Sequence, residues 1–335
     1  MAQFLLRRLL RLIPVLFGIT FIAFAVLEFI PGDPATVMLG ERATPDQVAA
    51  LREQLGLNQP LGVQYAHFLG RLVQGDFGQS IVSGIAIQTE FIARWPATCE
   101  LAIAAMTLAL GLGIPAGVVA AVYANRWPDR LLRVGALLGV SIPVYWLGLL
   151  LIYLFAVSLH WLPASDRLST DLSLTFTPLT GLYLVDSVLQ GNGVVLGDAI
   201  AHLLLPALTL GSIPLAVIAR ITRSAMLEAL AQNYIRTAKA KGVPPLAIVG
   251  RHALKNALIP VSTVAGLQFG TLLGGAILTE TIFAWPGIGA WLYEGILNRD
   301  YPVVQSGIVV VATIFVLLNL LTDWVYHWID PRIRT

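Results

Sequence analysis

The sequence predicts an all-α polytopic membrane protein with six transmembrane helices. Three observations carry that expectation. Of 335 residues 57 % are hydrophobic and only 12 % charged, with a mean hydropathy of +0.78, too few polar groups to clothe a soluble core of this size. Six apolar runs, at 9–30, 97–123, 134–157, 199–219, 258–279 and 304–325, are each long enough to cross roughly 30 Å of hydrocarbon. Lysine and arginine also alternate from one inter-span segment to the next.

The first run follows Arg7, Arg8 and Arg11, a flank that a signal peptide would share. It is too long for that role, and Ile30-Pro-Gly-Asp-Pro34 offers no small-residue cleavage site, so it reads as a retained anchor. Arg126, Arg130 and Arg133 lie between runs two and three. Arg220, Arg223, Arg236, Lys239, Lys241, Arg251 and Lys255 lie between runs four and five, and Arg332 and Arg334 at the end. The alternate segments hold mainly acids: Asp33, Glu41, Asp46, Glu53, Asp76, Glu90 and Glu100, then Asp166, Asp171, Asp186 and Asp198. By the positive-inside rule both termini are cytoplasmic and the acidic segments lie outside.

Two of the outside segments are long. Residues 31–96 hold a helical patch in which Thr44 suits a cap and Pro45 a first helical position. Leu55-Gly-Leu-Asn-Gln-Pro60 reads as a helix stop and turn, and 64–73 as a second short helix. Residues 158–198 mix prolines, glycines and apolar runs, which predicts a folded loop on the membrane surface. The lone Cys99 permits no internal disulfide, so these loops are expected to be ordered by packing alone, with the thiol packed as a small apolar residue.

Within the spans, glycines recur four residues apart at Gly113…Gly117, Gly135…Gly139 and Gly266…Gly270…Gly274. That spacing lets helices approach closely in lipid; the last series is expected either to line a central pathway or a subunit seam, or to serve ordinary bundle packing. Pro115, Pro143, Pro206 and Pro214 mark candidate hinges. Ionisable groups near the spans are few. Glu28, His202, Glu280 and Asp323 all fall near an interface, where structural roles are expected, and Trp324, Tyr326 and Trp328 read as an aromatic belt. The five histidines show no metal-ligand spacing. No zinc-protease, nucleophile-elbow or Walker-type motif occurs, so a transport cycle that consumes nucleotide would need another subunit to bind it.

The most informative segment is 234–260. Lys239, Lys241, Arg251 and Lys255 keep it out of the bilayer, Ile235 and Ala238 share one face of its helix, and that helix ends at Gly242 before Pro244 and Pro245. Glycine takes the left-handed cap conformation there and proline prevents continuation. A capped basic helix held at a membrane surface predicts presentation to a partner.

This segment resembles the cytoplasmic coupling motif of ABC importer permeases, written Glu-Ala-Ala, three residues, Gly, nine residues, Ile-x-Leu-Pro. Aligned on Gly242, the chain matches at Ala238 and Leu254 and departs at Arg236, Thr237, His252 and Lys255. Asn233-Tyr-Ile-Arg-Thr-Ala-Lys-Ala-Lys-Gly242 with His252-Ala-Leu-Lys-Asn-Ala-Leu-Ile-Pro260 is similar to the variant of the peptide/nickel branch. So are Phe4-Leu-Leu-Arg-Arg-Leu9, Ile30-Pro-Gly-Asp-Pro34, Leu55-Gly-Leu-Asn-Gln-Pro60, Gly75-Asp-Phe-Gly78, Thr279-Glu-Thr-Ile-Phe-Ala-Trp-Pro-Gly-Ile-Gly289, Asn298-Arg-Asp-Tyr-Pro-Val-Val-Gln305 and Asp330-Pro-Arg-Ile-Arg334. The long segment after run one resembles the first of the two permease subunits. Pro178-Leu-Thr-Gly181 and Gly211-Ser-Ile-Pro-Leu-Ala-Val-Ile218 look most like the dipeptide-transporting members.

The resemblance implies a type I ABC importer permease fold in a bacterial inner membrane. Its parts would be an N-terminus and first helix (1–30), a periplasmic segment (31–96), a five-helix core (97–328) containing a coupling segment (220–257), and a cytoplasmic tail (329–335). It implies a homologous second permease, two cytoplasmic ATPase subunits and a periplasmic solute-binding protein as partners, with no nucleic acid. ATP and Mg would sit on the ATPases, leaving this chain without a cofactor or catalytic residue. Arg236, Thr237, Ala238, Lys239, Lys241, Gly242 and Leu254 would couple to an ATPase. Dipeptides or short peptides are the expected cargo, with nickel chelates, glutathione or oligopeptides as alternatives and an ATP-independent channel or scaffold as the contrasting class.

Overall fold

The computed structural model describes residues 2–29, 34–39, 43–54 and 56–329. Residues 30–33, Glu41, Leu55 and the terminal Asp330-Pro-Arg-Ile-Arg334 lie outside the described residues. So do the side chains of Arg7, Arg8, Arg11, Glu28, Asp323, Trp324, Tyr326 and Trp328. Every regular element among the described residues is helical. In chain order, α1 (Ala2–Phe29), α2 (Pro34–Leu39), α3 (Pro45–Gln54) and α4 (Leu61–Val73) precede α5 (Ile87–Val122). Next come α6 (Trp127–Ser141) and α7 (Val144–Leu151), the latter prolonged by a π-helical stretch Ile152–Ser158. Short helices α8 (Thr170–Thr175) and α9 (Tyr183–Leu189) lead to α10 (Gly193–Ala231), α11 (Asn233–Ala240) and α12 (Pro245–Ala247). A second π-helical stretch, Ile248–Ala253, is followed by α13 (Leu254–Gly275), α14 (Ile277–Ile282), α15 (Ile288–Leu297) and α16 (Tyr301–Ile329).

Three helical runs are long and apolar enough to cross a membrane: α5, α10 and Pro245–Gly274. The third expected span differs from the sequence reading. α6 and Val144–Ser158 meet at 106° and make at most one broken span, giving four in all. The cause is local. Ile142 is extended (ψ 125°), the conformation that a following proline favours, and Pro143 has no N–H with which to continue the helix. Pro115, Pro206 and Pro214 sit inside unbroken helices, so of the four expected hinges only Pro143 interrupts its helix. α1 and α16 carry shorter apolar stretches, Leu12–Ala25 and Tyr301–Leu317.

The chain divides into two compact units, Met1–Trp95 with Trp291–Leu321, and Pro96–Ala290 with Thr322–Thr335. In the first, Tyr65 of α4 reaches α1, where its hydroxyl lies 2.9 Å from Thr20 Oγ1 and Phe17, Phe21 and Phe24 surround its ring. α3 starts as the sequence predicts. The Gln47 N–H donates to Thr44 Oγ1 (3.4 Å) and the Thr44 N–H to Gln47 Oε1 (2.9 Å), a reciprocal capping box.

The second unit is built on small residues. Ala97, Ala102, Ala105 and Ala109 of α5 face Leu203, Ala207 and Leu210 of α10, with Val261 and Leu272 of α13 completing the core. A Cβ added to Gly117 would lie 2.6 Å from the Ala219 carbonyl, and one added to Gly211 2.7 Å from that of Ala105. α5 and α10 therefore pack backbone to backbone, a contact that any larger residue at either glycine would force apart.

Candidate functional site

α11 owes its position to its sequence. α10 ends at Ala231, Gln232 is extended (ψ 153°), and α11 begins at once in a new direction. Ile235 and Ala238 share a face and are buried with Ala121 of α5, Met226 and Ala229 of α10, Ile248 and Ala253 of the π-helical stretch, and Ala257 of α13. Arg236, Thr237, Lys239 and Lys241 are exposed. The end of α11 is a Schellman cap. The Val243 N–H donates to Ala238 O (3.2 Å) and the Gly242 N–H to Lys239 O (3.0 Å), with Gly242 left-handed at φ +76°. Pro244 and Pro245 then restart the chain as α12, which presents Leu246 at 88 % exposure. Asn256 Nδ2 donates to the Tyr234 hydroxyl (2.8 Å), tying α11 to α13.

The structure sorts the predicted residues by direction. Arg236, Thr237, Lys239, Lys241 and Gly242 lie on the exposed surface, whereas Ala238 and Leu254 pack inward on the small core beneath it. The surface is strongly basic. Arg236, Lys239, Lys241, Arg251 and Lys255 are all exposed, and the sequence has no acid between Glu228 and Glu280. Along α13, Gly266, Gly270 and Gly274 are half-buried, buried and exposed in turn.

Sequence reading missed two features here. One is Leu246, an exposed apolar side chain beside the cations. The other is Asp129, the only acid between Glu100 and Asp166. It is fully buried in the first turn of α6, where Arg223 of α10 grips it through Nε (2.5 Å) and Nη2 (2.9 Å), and the Asn125 N–H donates to it (2.8 Å). A lone acid among Arg126, Arg130 and Arg133 was the available signal.

Residues 113–335 match the binding-protein-dependent transport system inner membrane component family, and residues 1–102 match its N-terminal membrane component. The chain belongs to this family of transport permeases. It is 51 % identical over 335 residues to the di/tripeptide transport system permease protein of Pseudomonas aeruginosa, covering 100 % of this chain and 99 % of that one. It is 49 % identical over 338 residues, with the same coverage, to the dipeptide transport system permease protein of Escherichia coli K12. The glutathione transport system permease protein of Escherichia coli O1:K1 is 41 % identical over 334 residues, again across 100 % and 99 %.

The permease motifs far from α11 resolve into buried carboxylate sites. Glu280 is fully buried and accepts from Thr98 Oγ1 (2.7 Å) and the Ala290 N–H (3.0 Å), while the Ile288 N–H donates to Thr98 Oγ1 (2.9 Å). A Cβ on Gly287 would fall 2.2–2.4 Å from that carboxylate, which accounts for the glycine after Pro286. Burial pushes the Glu280 carboxyl above its ordinary range, and the hydrogen bonds from Thr98 and Ala290 offset part of that rise. Residues 158–198 are folded, as expected. Arg167 donates to Glu100 (2.5 Å) and to the Gly181 carbonyl (2.7 Å), with its guanidinium 3.6 Å from the centre of the Tyr183 ring. In the first unit, Asp300 accepts from Ser80 Oγ (2.5 Å) and from the N–H groups of Ile81 and Val82 (both 3.2 Å), and Ser306 Oγ donates to the Phe77 carbonyl (2.6 Å). Gly75-Asp-Phe-Gly78 and Asn298-Arg-Asp-Tyr-Pro-Val-Val-Gln305 thus flank a single structural site.

Proposed function

We propose that this permease is one transmembrane subunit of an ATP-driven importer that passes dipeptides across the bacterial inner membrane. It works with a homologous second permease, two cytoplasmic ATPases that bind ATP and Mg, and a periplasmic solute-binding protein. The chain crosses the membrane six times with both termini cytoplasmic. Residues 31–96 form a periplasmic segment, 97–328 the transport core and 329–335 a short tail.

The observation that carries this reading is α11. Its apolar face is locked into a core shared with α5, α10 and α13, and its cations face away from the body. A helix so held transmits a push instead of absorbing it. Within the coupling segment 220–257, Arg236, Thr237, Lys239 and Lys241 meet an acidic groove on an ATPase, with Leu246 as an apolar contact beside them. Ala238 and Leu254 hold the helix at the correct height, and Gly242 closes it. Closure of the ATPases on ATP then moves the attached helices as a body, switching the pathway between two states. Gly266, Gly270 and Gly274 place a thin-walled helix, α13, beside that pathway.

Dipeptides are favoured over glutathione because the dipeptide-named relatives stand at 47–51 % identity and the glutathione-named one at 41 %. The test is uptake of labelled dipeptide into vesicles holding the full complex, with and without ATP and the binding protein. Uptake that requires both is expected. ATP-independent flux would indicate a channel, and ATP-driven uptake of glutathione or nickel chelates alone would reassign the cargo.

A further inference from the structure

The core beneath α11 draws on α5, α10, the π-helical stretch and α13, and among the described residues α6 supplies none of it. α6 is one arm of the bent pair, and the other arm also meets α10: Gly148 of α7 lies against Thr209 of α10 and Phe283, where an added Cβ would meet both at 3.3 Å. Motion of α10 therefore meets the α7 arm directly, and a firm tie between α10 and the start of α6 carries the other arm with it. Along the rest of α6 the helix lies beside α10, closely at some positions and openly at others. Gly139 faces Ala216, with a virtual Cβ 3.3 Å away, while nothing approaches Gly135 within 4 Å.

The tie sits at the start of α6. Asp129 is 0 % exposed, gripped by two nitrogens of Arg223 and by the Asn125 N–H, with Arg133 Nη2 a further 3.5 Å away. Two parallel N–H···O bonds fix direction as well as distance, which a single ammonium contact would not. On the other side of Arg223, its backbone packs under Gly117 of α5, where an added Cβ would lie 3.0 Å from the Arg223 nitrogen. α5, α10 and α6 are thus joined within a few ångströms at one level. Arg223 stands eight residues before Ala231, at which α10 gives way to α11.

We propose that Asp129 and Arg223 are positioning residues for transport: their ion pair makes the start of α6 follow α10, so displacement of α11 by an ATPase moves both arms of the bent segment α6–α7 together. The proposal rests on the functional reading above, and its loss would leave a complex that still hydrolyses ATP but moves less cargo per nucleotide.

The experiment uses the full complex in proteoliposomes with its binding protein, measuring ATP hydrolysed and labelled dipeptide taken up in the same vesicles. Asp129→Asn and Arg223→Gln should each lower dipeptide per ATP at least fivefold in assembled complexes, with basal hydrolysis within twofold of the parent. The double substitution should be no worse than either single, because both remove one interaction. Arg223→Lys keeps charge and cover but loses the fork, and should lower the ratio about threefold even if a more drastic variant assembles poorly. An unchanged ratio in Arg223→Lys and Asp129→Asn overturns the proposal. So does a proportional fall in hydrolysis and uptake, the signature of fewer folded complexes. Failure of the unsubstituted complex to take up dipeptide overturns the functional reading and the pair's role in it, whereas normal parental uptake with unchanged variant ratios overturns the pair alone.

Discussion

Substitution of Gly242 separates backbone geometry from partner contact. The residue sits at φ +76°, and a Cβ built on it meets no atom within 4 Å. Alanine therefore costs only the left-handed conformation, about 1 kcal/mol, and keeps both cap hydrogen bonds. That energy corresponds to roughly a fivefold fall in the ratio of capped to uncapped α11. Asparagine, which tolerates the left-handed region, should cost less. Proline is fixed near φ −65° and lacks the N–H that bonds Lys239 O, so it should abolish the cap at a cost of about 3 kcal/mol or more. Hydrogen exchange at the Val243 amide reads the cap directly, since that N–H donates to Ala238 O. The expected order of exchange rate is parent, asparagine, alanine, then proline, with alanine about fivefold above the parent. Dipeptide uptake per ATP should fall in the same order, and the proline variant should insert but be uncoupled. Alanine as damaging to uptake as proline, with exchange still near the parental rate, would refute this reasoning, because the glycine would then be needed to clear a partner surface.

Two further outcomes follow from the carboxylate sites. Asp300→Asn removes an acceptor from Ile81 and Val82, an unmet need worth about 1–3 kcal/mol; limited proteolysis within 74–86 should accelerate at least fivefold, and an unchanged rate would show that the segment is held otherwise. Glu280 has a raised pKa, so the folded chain holds its proton more tightly than the unfolded chain does. Its contribution to stability is full below the ordinary carboxylate value of 4.5 and is lost as pH rises through the elevated folded value. Melting curves of the purified complex across that range should flatten in Glu280→Gln, and parallel curves would count against the assignment.

The helical class, the capping box at Thr44 and the whole of α11 were legible because each depends on neighbours a few residues apart. Gly242 followed by Pro244 and Pro245 specifies its cap locally, and Ile235 and Ala238 specify their face by spacing. Other features depend on contacts that sequence spacing does not encode. Four prolines looked alike, yet only Pro143 breaks its helix, because surrounding helices accommodate Pro115, Pro206 and Pro214. Gly113 and Gly117 pack against α10 as their spacing suggests, while Gly135 has the same spacing and no close neighbour. Gly211 makes a close contact with no glycine spacing to announce it. Within the coupling motif itself, conformity to a family pattern did not distinguish Ala238 and Leu254, which face inward, from Lys239 and Lys241, which face out.

The acids divide differently from the way a topology reading divides them. With one cysteine, the segments between spans were expected to rely on packing alone. Instead their order comes largely from carboxylates that collect backbone N–H groups. Asp186 accepts from the N–H groups of Leu179, Thr180 and Gly181 and from the Thr180 hydroxyl. Asp198 accepts from the Ser169 N–H, Glu100 from that of Leu184, and Asp300 from those of Ile81 and Val82. A carboxylate with several acceptor sites can close a turn that would otherwise bury unpaired donors, each costing about 1–3 kcal/mol. Such a charge is tolerated where it meets several donors or a guanidinium and is penalised where it does not. Acids in these segments therefore satisfy two demands with one residue type: they spare the segment positive charge, and they tie it down. The basic segment after Glu228 that forms α11 has no carboxylates to serve this purpose, and it is held by Ile235, Ala238 and the Gly242 cap instead. Among the described residues, no internal ion pair takes up Arg236, Lys239 or Lys241, which is the condition a helix must meet to offer its cations to a partner.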